Sequence, residues 1–140
     1  MKIFQISVVA LSLCMTSAAS AESLKERKAN KEATEAFEKV VGDTNTACGT
    51  SLKGEINFKS WNVKDTENIS RSHCDHGLDQ IRSVCGDEEG KKAVKQKIKK
   101  YVCKFGAKRA IELKGGTLTY TADKGISLDD FIKEYLMNNL

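Results

Sequence analysis

The clearest hydrophobic pattern in this chain lies near its end. Leu128, Phe131, Ile132, Tyr135 and Leu136 fall on one face of a helix. Ser127 opens that helix with a Ser-x-x-Asp spacing to Asp130, the arrangement of a capping box. A similar stripe runs through residues 22–41, where Ala29, Ala33, Ala36, Phe37, Val40 and Val41 recur at helical spacing. Glu35 and Lys39 form a favourable i,i+4 pair there, and Gly42-Asp43 is the expected stop. Residues 44–53 are polar and short-sided, which predicts a loop holding Cys48.

Residues 54–63 change period. Ile56, Phe58 and Ser60 share one parity, the pattern of a strand, with Trp61 on the other. A second helix, capped by Ser70 or Ser72, is expected to reach Cys85 with Cys74, Leu78, Ile81 and Cys85 on its inner stripe. Gly86 then stops it and Asp87 caps a third helix, with Glu88 and Glu89 suited to its first turn. That helix is predicted to run to about Lys100, with Val94, Ile98 and Tyr101 on one side.

The next five residues decide between two readings. A continuing helix would turn Cys103 about 160° away from the Val94/Ile98/Tyr101 stripe. A strand over 101–105 puts Tyr101, Cys103 and Phe105 on one face, and is preferred. Strands over 109–113 and 117–121 follow, with Ile111, Leu113, Leu118 and Tyr120 inward and Gly115-Gly116 as the turn between them. The order α-β-α-α-β-β-β-α predicts an α+β domain. About four helices would pack on a small antiparallel sheet, a three-stranded meander plus an extra strand.

The first 21 residues change what the cysteines mean. Lys2, a short apolar run and Ala19-Ser20-Ala21 have the form of a cleavable export signal. Residues 22–140 then make one domain, expected in the periplasm or outside the cell. No later segment is apolar for long enough to span a membrane. Cys14 lies within the signal and follows Leu13, where lipid attachment would want a small residue. In an oxidising compartment Cys48, Cys74, Cys85 and Cys103 read as two disulfides. Cys74 and Cys85 on one continuous helix would stand about 16 Å apart, too far to bond. Of the two remaining connectivities, Cys74–Cys103 with Cys48–Cys85 is favoured. The third helix returns the chain to the level of Cys74.

Charge is unevenly spread. Between Lys91 and Arg109 the sequence places Lys91, Lys92, Lys95, Lys97, Lys99, Lys100, Lys104, Lys108 and Arg109 with no acidic residue, although the whole chain is only +4. Such a stretch attracts an acidic protein or an anionic envelope polymer. Nucleic acid fits poorly, because the run holds a single arginine and only Tyr101 and Phe105 could stack on bases.

Candidate chemistry is sparse. His73 and His76 are the only histidines. With Asp79 one turn further on they could hold a transition metal, a second reading of the chain. Any Ser-His-Asp hydrolase would need one of the same two histidines, and no Gly-x-Ser-x-Gly elbow or Gly-rich phosphate loop accompanies them. A small envelope glycan hydrolase using paired carboxylates is a third reading. Asn68-Ile69-Ser70 is a glycosylation sequon and is given no role. The first reading is a non-enzymatic binding or inhibitor-type domain with no cofactor, using the basic stretch as its contact surface. The sequence leaves its oligomeric state open.

Overall fold

A computed structural model describes residues 23–61, 73–125 and 130–140. The predicted signal, the Ser70/Ser72 cap, the sequon, Ser127 and Leu128 lie outside these residues. The elements in chain order are α1 (Leu24–Cys48), β1 (Lys53–Ile56), a 3-10 turn (Phe58–Ser60), α2 (Asp75–Val84) and α3 (Glu88–Lys97). β2 (Lys100–Phe105), β3 (Ala110–Lys114), β4 (Thr117–Ala122) and α4 (Phe131–Asn139) follow. The class is α+β, and the described residues hold four helices and a four-stranded sheet. Among the described residues no helix is long and apolar enough to cross a membrane.

The sheet is mixed, where an antiparallel meander was expected. Its order is β1-β2-β4-β3. β1 runs parallel to β2 and β2 parallel to β4, and only β3–β4 is antiparallel. Burial explains the exchange of places. β4 buries Leu118, Tyr120 and Ala122, whereas β3 has no fully buried residue and only half-buries Ile111 and Leu113. The strand with more apolar surface to cover takes the interior position, and the poorer one takes the edge. The Gly115-Gly116 turn forms as predicted, with φ of 56° and 79°. The Gly116 carbonyl accepts from the backbone N–H groups of Lys99 and Lys100, at 2.7 and 3.1 Å, which pins the hairpin to the start of β2.

α1 extends seven residues beyond the predicted stop. Its inner stripe continues as Phe37, Val41, Thr44 and Cys48, all buried, at steps of four, three and four. A mid-helix glycine costs about 1 kcal/mol relative to alanine, less than the burial on either side of Gly42 contributes. The buried Thr44 hydroxyl donates to the Val40 carbonyl at 2.8 Å, so it is satisfied within the helix. The helix ends instead at Gly49, φ 62°. Cys48 is thus the last helical residue, not part of a loop. β1 is shorter than predicted. It gives way at Asn57 to the 3-10 turn, after which Trp61 is buried against Phe105, ring centroids 5.2 Å apart.

Two disulfides cross the core as expected. Cys48–Cys85 joins the C-terminal ends of α1 and α2, with Cα atoms 5.2 Å apart. Cys74–Cys103 joins the N-terminal end of α2 to β2, with Cα atoms 5.6 Å apart. Tyr101 lies two residues from Cys103, fully buried, and its hydroxyl donates to the Cys74 carbonyl at 3.2 Å. Burial, reinforced by Tyr120 and Asp75, holds this phenol well above its ordinary range, so it stays a neutral donor. α2 can approach it because residue 77 is glycine: a Cβ there would collide with the Tyr101 hydroxyl.

The start of α4 is satisfied from another helix. Its N-cap Asp130 makes no side-chain cap. Gln80 of α2, buried, accepts instead from the N–H groups of Ile132 and Lys133 at 2.8 and 2.9 Å. These are orphan donors of the first helical turn, and burial without a partner would be costly. Tyr135 of the same helix accepts from the Leu113 N–H at 3.0 Å on the outer edge of β3.

Candidate functional site

β2 divides the basic stretch. Tyr101 and Cys103 point into the core, so Lys100, Val102 and Lys104 point to the opposite face. Lys100 and Lys104 are then about 13 Å apart along the strand. The nine basic residues therefore do not share one face. Lys104, Lys108 and Arg109 lie toward the far end of β2 and its connection to β3. Arg109 sits over the Phe131 ring, 4.2 Å from its centroid. Lys91, at the start of α3, pairs with Glu88 at 2.8 Å, and Lys92 is exposed one position along. The alignment of Lys97, Lys100 and Lys104 that a longer helix would give is absent, since α3 ends at Lys97.

The remaining lysines meet others that lie outside the stretch. Register pairs Lys53 of β1 with Lys100 of β2, Lys100 with Thr117 of β4, and Thr117 with Lys114 of β3. All four belong to the outer face, because their neighbours Gly54, Tyr101, Leu118 and Leu113 share the inner one. Lys99 and Lys95 adjoin this row, the Lys99 ammonium donating to the Lys95 carbonyl. The Lys97 ammonium reaches the Asn139 carbonyl near the end of α4, 3.4 Å away. Lys53, Lys95, Lys97, Lys99, Lys100 and Lys114 thus gather at the end of the sheet where β1, β2 and β4 begin. Among the described residues only Lys100 of these six pairs with a carboxylate, Glu55 at 2.5 Å. Lys53 and Lys114 escape a reading along the sequence because only strand pairing brings them to Lys100.

The histidine pair lies elsewhere. His73 is buried beside Trp61, ring centroids 6.4 Å apart. Burial lowers its pKa below the ordinary value, opposed by the charge of Asp123 and assisted by His76. His76 is half-buried, and Asp79 is exposed and ion-paired with Arg82. Among the described residues no three His, Cys, Asp or Glu side chains are gathered as a metal site would need. Among the described residues the buried indole N–H of Trp61 has no hydrogen-bond partner.

Two cavities open among the described residues. One of about 350 Å³ is lined by Phe105, Gly106, Ala107, Asp123, Lys124 and Gly125. The other, about 240 Å³, lies between the α2–α3 turn and α4 and includes Asp87, Glu89 and Met137. Of its two carboxylates, Asp87 is engaged in capping α3 through the Gly90 N–H at 2.7 Å.

Fold and site together define a disulfide-braced α+β domain with a lysine-lined sheet end. Comparison with known proteins adds no relative: no protein-family model, no curated protein and no solved structure matches the chain.

Proposed function

We propose that this is an exported, non-enzymatic binding domain, of the kind that includes small inhibitors. It contacts an acidic partner protein or an anionic envelope polymer through the lysine-rich end of its sheet. The observation that carries this reading is the convergence of six lysines from four elements and their junctions on one end, with a single carboxylate pairing among them within the described residues. Ammonium groups gathered at one end of a sheet repel one another, and an anionic ligand relieves that repulsion. Export is supported by the form of residues 1–21 and by four cysteines joined as two disulfides. The braced fold suits a rigid contact surface, which loses little freedom on binding.

The test is titration with soluble polyaspartate at two salt concentrations. Replacing Lys95, Lys97, Lys99 and Lys100 by Gln should weaken binding at least about tenfold and flatten its salt dependence. Unchanged affinity in that variant would refute the assignment.

A further inference from the structure

The row that crosses the sheet is narrower in its chemistry than a general basic patch. This step rests on the polyanion reading above and names the class of ligand. Lys53, Lys100, Thr117 and Lys114 lie side by side, one per strand, at steps of about 4.8 Å. The next row across the same face is Glu55, Val102, Thr119 and Glu112. The one after it holds Lys104, Thr121 and Ala110. The outer face is thus striped: cationic, then anionic at both margins, then weakly cationic. A broad anionic surface such as a membrane would press on the acidic stripe together with the basic one. A single linear chain can follow the first row alone.

From this geometry we infer that the row binds a linear acidic polysaccharide, its chain lying across the strands with carboxylate or sulfate groups against Lys53, Lys100 and Lys114. Such a polymer carries charges at a spacing of the same order as the strand separation. Its hydroxyls match the hydroxyl of Thr117, midway along the row, and that of Thr119 just behind it. Lysine serves this ligand better than arginine, because a rotatable point charge accepts anions whose orientation varies along a flexible chain. Glu55 acts as a placeholder: it neutralises Lys100, at 2.5 Å, until a ligand carboxylate displaces it.

The experiment uses the full chain, calorimetry, and a galacturonate oligosaccharide long enough to span four strands. The methyl-esterified oligosaccharide and phosphatidylglycerol vesicles are the comparators. Lys53→Gln with Lys114→Gln should weaken galacturonate binding about fivefold or more, and the charge-matched pair Lys91→Gln with Lys92→Gln less than about twofold. Glu55→Gln should tighten binding about two- to fivefold by releasing Lys100. The methyl ester should not bind. Thermal unfolding of each variant checks that the fold is intact. Equal losses in the two lysine pairs would overturn the row and leave the general polyanion reading standing. Vesicle capture that the oligosaccharide cannot compete away would overturn the polysaccharide class. Binding of neither galacturonate nor polyaspartate would overturn both.

Discussion

The two faces of β2 carry alternate residues of one six-residue strand and do different work. The inner face holds Tyr101 and Cys103, both fully buried, one bonded to a backbone carbonyl and the other to a second sulfur. The outer face holds Lys100, Val102 and Lys104, none of them fully buried. The inner residues therefore bear on stability, and on the reading proposed above they take no part in binding. On the reading proposed above, the outer residues are the ones open to recognition, and exchanging them should disturb the fold little. Pleating separates the two roles at no cost in chain length.

The largest expected effect that would break this division comes from the inner sulfurs. A Cys74→Ala, Cys103→Ala variant should lose about 3–4 kcal/mol, because a loop of this length gains that much chain entropy on opening. Chemical denaturation measures it, and a loss under about 1 kcal/mol would show that the bond is not a main brace. Next comes Gly77→Ala, whose added methyl meets the Tyr101 hydroxyl and the Ile132 side chain. We expect about 1–3 kcal/mol of destabilisation. As its counterpart on the other face, Thr119→Ala should stay within about 0.5 kcal/mol. Comparable losses at the two sites would erase the distinction between faces.

The smallest effect concerns charge at the inner margin. His73 is buried and its pKa is depressed, so the folded state holds this imidazole neutral. The unfolded chain then takes up a proton more readily than the folded one. The stability from this group is complete above its ordinary pKa of about 6.5 and declines as pH falls below that value toward the lowered one. His73→Gln should reduce this acid sensitivity, read as a flatter denaturation midpoint between neutral and mildly acidic pH. An unchanged slope would mean that His73 titrates alike in both states.

Much of the inner face is legible in the sequence, and the reason is local geometry. Cys74 and Cys85 share a helix, which rules out one pairing by distance alone, and the Gly115-Gly116 turn needs only its own two residues. The strand at 101–105 followed from parity, because Cys103 had to face the same way as Tyr101. The features that the sequence does not display depend on contacts between distant segments. The order of β3 and β4 reflects which hairpin arm buries more, a comparison that exists only once the helices are in place. The extension of α1 past Gly42 draws on burial of Thr44 and Cys48 against the rest of the core. The cap on α4 comes from Gln80, about fifty residues away, and not from the helix's own first residues. For the same reason the basic stretch was visible as a stretch but not as a row. Its division at β2, and its completion by Lys53 and Lys114, are products of strand register.

The order of the crosslinked residues along the chain has one more effect. The bonds interleave: Cys48 joins Cys85, and Cys74 joins Cys103. A protease that cuts any single peptide bond between Cys48 and Cys103 cannot separate the two pieces, since at least one bridge always spans the cut. A nicked protein should migrate as one species on a non-reducing gel and fall into two only when thiol is added.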